Sequence, residues 1–238
     1  MSLLWTELVA LAAATLAGVT GFGGAALLLP VLVIAYGARA AIPVLTVAQL
    51  VGNGSRVWFN RRELDLAVVG WFALGGVPLA VAGGFVFAEA PLPLLERLIG
   101  LFLLLMVLWR HMRLRGPRRF SRGWFAAIAA GSSFLSALLG SVGPLMAPFF
   151  LAYGLTRGAY IGTEALSTVV MHATKLVAYG GAAVLGQREI VRGLVLAPAM
   201  VLGSYFGKHI LDRVPERVFV WLVEGVMLVV GARFLIGG

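Results

Sequence analysis

Apolar runs of about 20 residues, each with few charges, recur along the 238-residue chain, and a helix of that length crosses a hydrocarbon core of roughly 30 Å. They are Ala41 to Phe59, Ala67 to Ala88, Leu94 to Met112, Gly158 to Leu185, Val191 to Ile210 and Val218 to Ile236. A backbone that crosses lipid must satisfy its own N–H and C=O groups, so such runs predict helices. Composition agrees, since 61% of the residues are hydrophobic and 12% charged, against about 45–50% and about 25% in soluble domains. The expected fold is an all-α polytopic membrane protein of 8 to 10 helical segments.

The formal charge of +9 would suggest nucleic acid in a soluble domain, but here Lys and Arg sit mainly between the apolar runs. That placement is the signature of loops retained in the cytoplasm, so no nucleic-acid partner is expected. Met1 to Glu7 carry no basic stretch and no small-residue cleavage site follows, so no removable signal peptide is expected. The chain has no cysteine, which excludes disulfides, thiolate metal sites and cysteine nucleophiles. No metal and no cofactor is expected.

The polar stretch Arg110 to Arg122 contains six arginines and the Gly116-Pro117 breaker, and it divides the chain nearly in half. The two halves carry the same punctuation in the same order. Gly21-Phe22-Gly23-Gly24 followed by Pro30 answers to Gly140-Ser141-Val142-Gly143 followed by Pro148. Ala35-Tyr36-Gly37 matches Ala152-Tyr153-Gly154, and an arginine follows each, Arg39 and Arg157. Arg62-Glu63-Leu64 matches Arg188-Glu189-Ile190, and Pro93 with Glu96-Arg97 matches Pro215 with Glu216-Arg217. Duplication accounts for this order. It gives a first membrane repeat at 1–113, a basic cytoplasmic linker at 114–122 and a second membrane repeat at 123–238.

The opening segment of each half, Leu4 to Tyr36 and Phe125 to Tyr153, is about 30 residues long, or about 45 Å as continuous helix, and the Gly motif cuts it. Each is either a broken helix that crosses once or two short helices that form a hairpin. With Arg56 and Lys175 set aside, hairpins leave twelve basic residues inside and five outside, and single crossings leave eleven and six. The positive-inside rule favours hairpins. Each half then has an odd number of segments and the second inserts upside down, the inverted repeat of many secondary transporters.

Gly21 to Gly24 and Gly140 to Gly143 place non-helical backbone at membrane depth, which protein or a polar cavity must satisfy. New helices open at Ala25 or Pro144, and their N-termini suit an anion. The bland alternative is that these glycines only permit close helix packing. In the second half Glu164, Thr168, His172 and Lys175 share one helical face, with Ser167 and Thr174 nearby. Thr46, Gln49, Asn53 and Arg56 do so in the first half. Ionisable groups inside a membrane are costly and functional by default. Glu164 and His172 are candidates for a proton relay, since His titrates near neutrality and a desolvated Glu can shift upward. The structural alternative pairs Glu164 with Lys175 or His172, and Arg56 is expected to snorkel to the interface beside Arg61.

The sequence resembles the TauE/SafE sulfite exporter family of bacterial membrane permeases. The matching residues are Gly18-Val19-Thr20-Gly21-Phe22-Gly23-Gly24 through Pro30, Phe134-Leu135-Ser136-Ala137-Leu138-Leu139-Gly140-Ser141-Val142-Gly143-Pro144 through Pro148, and Ile161-Gly162-Thr163. The resemblance implies a multi-pass transporter of the bacterial inner membrane that exports sulfite or an organosulfur anion such as sulfoacetate. The chain departs from the family after Gly162-Thr163, where Glu164, His172 and Lys175 replace small or hydroxylated residues. The residues expected to meet the anion are Gly21, Phe22, Gly23, Gly24, Gln49, Asn53, Gly140, Ser141, Val142, Gly143, Thr163, His172 and Lys175. Glu164, His172 and Lys175 read as having neutral or displaced counterparts in the first half, so the second half is expected to set chemistry and selectivity.

The expected partners are a small anion and the lipid bilayer, with a homodimer left open. No Walker motif appears, which fits a secondary transporter and not an ATPase. A second reading is an intramembrane serine hydrolase using Ser133 or Ser141 with His172, but no G-x-S-x-G elbow surrounds either serine. A third is a non-catalytic membrane subunit.

Overall fold

The structure is a computed structural model that describes residues 3–20, 24–111, 121–140, 142–155 and 157–210, with the isolated positions 228, 232 and 235. Among these residues it is all-helical, as the apolar runs require. The order is α1 (Leu3–Thr20), α2 (Gly24–Tyr36), α3 (Ala38–Phe59), α4 (Leu66–Glu89) and α5 (Leu92–His111), then α6 (Trp124–Leu139), α7 (Gly143–Tyr153), α8 (Arg157–Gly181), α9 (Gln187–Val195) and α10 (Ala197–Ile210). Five of the six apolar runs fall on these helices. Val218 to Ile236 lies outside the described residues apart from the isolated positions, as does most of the linker at 114–122.

The punctuation read from the sequence marks real helix ends. Tyr36-Gly37 and Tyr153-Gly154 each close a short helix, and both glycines have positive φ, +78° and +106°, a region that side chains with a Cβ avoid. In α7 a proline occupies the first turn, where its missing N–H costs nothing. Pro30 and Pro148 sit further along, inside α2 and α7. At 13 and 11 residues, α2 and α7 are about 20 and 17 Å long, too short to cross a bilayer core alone.

Judged by length and apolarity alone, α4 and Gln187–His209, which joins α9 to α10 through Leu196, are the described helices suited to crossing a membrane. The other long central helices fail that test because of what they carry inside. On α3, Thr46, Gln49, Asn53 and Arg56 are buried, and on α8 so are Thr163, Glu164, Ser167, His172 and Lys175. Meanwhile Trp71, Leu74 and Phe85 of α4 and Leu194, Val201 and Leu202 of α9 and α10 are exposed. Polar groups turned inward and large apolar groups turned outward are the inverse of a soluble protein and suit a lipid surround.

The polar helices α3 and α8 pack against each other at the centre. Around them, α4 packs on α6 and α8, while α10 packs on α1 and α3 and α9 on α3. The short α2 lies on α3, and α7 on α8. Exchanging α1 with α6, α2 with α7, α3 with α8, and α4 with the α9–α10 pair leaves these principal pairings unchanged. Each opening helix therefore packs chiefly on a helix from the other part of the chain, α1 on α10 and α6 on α4, and less on the short helix that follows it.

Small residues make this interlocking close. A Cβ at Gly75 on α4 would overlap the Ala126 carbonyl oxygen of α6, and one at Gly203 on α10 would lie 2.5 Å from the Leu11 carbonyl oxygen of α1. Close backbone approach of this kind replaces the hydrophobic drive that lipid removes. Gly75→Val is expected to lower the melting temperature of the detergent-solubilised protein by the equivalent of about 1–3 kcal/mol. Gly70→Ala on the same helix, where a Cβ meets nothing within 4 Å, should leave it unchanged or higher.

Candidate functional site

Where the polar faces of α3 and α8 meet, they enclose a cavity of about 30 Å³. Gln49, Asn53 and Arg56 border it from α3, and Glu164, Thr168 and His172 from α8. Gly24 at the start of α2 and Val142 with Gly143 at the start of α7 reach it from opposite parts of the chain. Phe72, Met146 and Phe150 supply apolar wall. A volume of this size holds about one or two waters, so the site is closed to anything larger in this conformation.

Arg56 is the central charge. It is 5% exposed and does not snorkel to the interface beside Arg61, contrary to the expectation from sequence. Its Nη1 donates to the Ala17 carbonyl oxygen at 3.1 Å, its Nη2 donates to Asn53 Oδ1, and Nη1 lies 3.6 Å from Glu164 Oε2. Glu164 therefore pairs with Arg56, not with Lys175 or His172. Its other oxygen, Oε1, accepts from the Thr168 hydroxyl at 3.1 Å, and Oε2 makes no hydrogen bond. Asn53 is engaged at both of its polar atoms, because its Nδ2 donates to the Gln49 carbonyl oxygen at 2.8 Å. Two other polar atoms at the cavity have no hydrogen-bond partner, Gln49 Nε2 and His172 Nδ1. Buried polar atoms are seldom left so, and an unmet ligand is one recognised cause.

Lys175 is placed differently. Its ammonium is fully buried and donates to the Ser136 carbonyl oxygen at 2.9 Å, to Ser136 Oγ at 3.2 Å and to the Gly140 carbonyl oxygen at 3.1 Å. All three N–H donors of the ammonium are thus matched by oxygens at the C-terminal end of α6. That end is open because Gly140, at φ +89°, turns the chain out of the helix. A cation at a helix C-terminus meets both unpaired carbonyls and the negative end of the dipole. Lys175 does not border the cavity.

The two cations occupy equivalent positions. Lys175 follows Arg56 by 119 positions, the same interval that separates Gly140 from Gly21 and Ser136 from Ala17. Arg56 binds the Ala17 carbonyl oxygen and Lys175 the Ser136 carbonyl oxygen, so each seals the last turn of the opening helix of its half. In this register His172 answers to Asn53, Thr168 to Gln49 and Glu164 to Leu45. Glu164 and His172 do face neutral counterparts.

The remaining candidates are dispersed. Thr163 is buried at the start of α8, where its Oγ1 accepts the Asp65 N–H at 2.9 Å and pins the α3–α4 loop. Asp65 in turn caps α4 through the Val68 N–H at 3.1 Å and accepts from the Tyr153 hydroxyl, to which Arg122 Nε donates at 2.6 Å. The hydrogen bond that Arg122 donates to the Tyr153 hydroxyl raises the pKa of the exposed guanidinium. Gly24 borders the cavity and also needs its missing side chain, because a Cβ there would lie 2.5 Å from the Ala13 carbonyl oxygen. Gly140 acts at the helix end and not at the cavity. Gly21, Phe22, Gly23 and Ser141 lie outside the described residues. Arg56 is the main residue that sequence reasoning misplaced, and the 119-position register was the signal for it. Phe72, Met146 and Phe150 carried no signal among so many apolar residues.

A wider depression of about 560 Å³ opens at the start of α3, bordered by Tyr36, Arg39, Glu96 and Glu189 among others. Arg39 is occupied there with the Ala88 and Ala90 carbonyl oxygens that end α4. With two carboxylates beside it, this depression has no preference for an anion. Ser133 Oγ is buried without a hydrogen-bond partner, so the serine-hydrolase reading finds no base in contact with that nucleophile.

A helical bundle with an apolar exterior and charged groups enclosed at its centre is the arrangement of a membrane protein. The chain belongs to the sulfite exporter TauE/SafE family, whose model matches residues 7–234. Membership places it in a membrane and in a transporter family for sulfur-containing anions. No curated protein and no solved structure matches the chain.

Replacing Lys175 by Met is expected to lower stability by roughly 2 kcal/mol or more, since three charge-assisted hydrogen bonds and the α6 cap go with it. Arg62→Met, at an exposed position, should fall within about 0.5 kcal/mol of the parent. Thermal unfolding in detergent measures both.

Proposed function

We propose that the chain is a secondary transporter of a small anion, sulfite or an organosulfur anion such as sulfoacetate, working as a multi-pass protein of the bacterial inner membrane. The observation that carries this reading is the enclosed Arg56 at a cavity where Gln49 Nε2 and His172 Nδ1 lack partners and two helix N-termini converge. The Arg56 guanidinium, the Gln49 amide N–H and the two helix N-termini favour negative charge, and His172 Nδ1 joins them in the tautomer that carries its proton. Among the described residues Glu164 is the one carboxylate bordering the cavity, too few for a site that holds only a cation.

The two halves, 1–113 and 123–238, act in this reading as inverted repeats whose opening segments are hairpins, and the exchangeable helix pairings support it. The anion binds at the midplane between them. Because α1 packs on α10 and α6 on α4, rigid rocking of one half against the other would break both contacts. Alternating access comes more economically from movement of α2 or α7, which opens the cavity to one side at a time. Thr168, Glu164 and His172 lie along one face of α8 and offer a route for a coupled proton.

Flux of sulfite and of sulfoacetate through proteoliposomes tests the reading. The protein should move at least one of them, and Arg56→Gln should reduce the rate by at least about tenfold, the loss expected for one charge-assisted contact. Flux of a neutral or cationic solute instead, or anion flux unaffected by Arg56→Gln in a folded variant, would overturn it.

A further inference from the structure

Resting on the anion reading of this site, we propose that the Glu164 carboxylate is a resident counter-ion of Arg56, which an incoming anion displaces as Glu164 takes up a proton. Three observations carry this. Glu164 Oε2 faces the guanidinium at 3.6 Å without making a hydrogen bond, so the pair is held by charge and not by a bidentate clasp. Both side chains border the cavity and are all but fully buried. The position equivalent to Glu164 in the first half is Leu45, so the carboxylate belongs to one side of an otherwise paired arrangement.

The charge balance then follows. With His172 neutral, the buried groups Arg56, Lys175 and Glu164 sum to a single positive charge. A monovalent anion entering alone would set two negative charges against Arg56, since Lys175 is committed to the end of α6. Entering with one proton, it converts the Glu164 carboxylate to the neutral acid, takes over the guanidinium and leaves the enclosed net charge as before. No additional charge is buried, which is the condition under which a low-dielectric site admits an ion at least cost. Thr168, which donates to Glu164 Oε1, can keep that contact in either state.

The groups that face Glu164 limit what else could take the proton. Arg56 is the charged group facing it from α3, and α8 itself carries Tyr160 one turn before and His172 two turns after. Around the cavity α4 contributes Phe72, and α7 Met146 and Phe150, none of which titrates. His172 is therefore the competing acceptor, and it is distinguishable from Glu164 by substitution.

The probe is methanesulfonate, whose single charge is constant between about pH 5.5 and about pH 8, measured by calorimetric titration of the purified protein in buffers of different ionisation enthalpy. Binding to the parent protein should weaken by up to about tenfold per pH unit toward the alkaline end and take up one proton. Glu164→Gln should bind at least about tenfold more tightly than the parent near pH 8, with no pH dependence and no proton uptake. A Glu164→Gln protein that binds as the parent does, with the same slope, would overturn the inference while leaving the anion site intact. A slope that survives in Glu164→Gln and vanishes in His172→Gln would overturn it in favour of His172. Failure of methanesulfonate, sulfite and sulfoacetate to bind either protein would remove the anion reading together with the inference. Unfolding provides a ligand-free check on the pairing. Arg56→Gln should melt below the parent, and Arg56→Gln with Glu164→Gln above Arg56→Gln alone, whereas equal melting of the single and double variants would contradict the pairing.

Discussion

Two buried cations hold the ends of the two opening helices, and the rest of the arrangement depends on them. A helix that stops at membrane depth leaves carbonyl groups with no water to meet them. Here Arg56 reaches the Ala17 carbonyl oxygen of α1, and Lys175 reaches Ser136 and Gly140 at the end of α6. Once those ends are closed, the chain can restart as α2 and α7, and their N-termini turn toward a shared cavity. The same break thus presents a sealed negative end to one side and a positive end to the other. That separation is what allows backbone alone to contribute an anion-favouring field.

The two seals are equivalent in position and unequal in chemistry. A lysine ammonium has three donors, and α6 with its serine offers three oxygens, so Lys175 is saturated. An arginine has five donors in a flat fork, and one bond to Ala17 leaves the guanidinium able to address Asn53, Glu164 and the cavity as well. Lys175 contributes a seal alone, whereas Arg56 contributes a seal and, in the proposed reading, a binding charge. In the proposed reading, selectivity is shared between Arg56 on α3 and Glu164 and His172 on α8.

Much of the fold was legible in the sequence because run length and punctuation are strong signals in lipid. Five apolar runs became helices near their expected bounds, and the Tyr-Gly landmarks fell at helix ends with positive φ. The polar faces of α3 and α8 were legible from three- and four-residue spacing. What spacing could not convey was how far each cation reaches. Arg56 and Lys175 differ in whether they border the cavity because of where Ala17 and Ser136 end up in space. Thr163 looked like part of a ligand motif and instead holds Asp65 across 98 positions. The exchange of opening helices, α1 onto α10 and α6 onto α4, was likewise hidden, since small residues able to support such contacts are spread throughout the chain.

The account stands or falls on an anion sitting against Arg56 at the meeting point of α2 and α7. Selenite, a heavy counterpart of sulfite, can be located directly by its anomalous scattering in crystals of the protein. The account predicts a selenium peak within contact of the Arg56 guanidinium and Gln49, between the helix starts at Gly24 and Gly143. A peak confined to the depression beside Arg39, or to the surface arginines, with the Arg56 cavity unchanged, would contradict it.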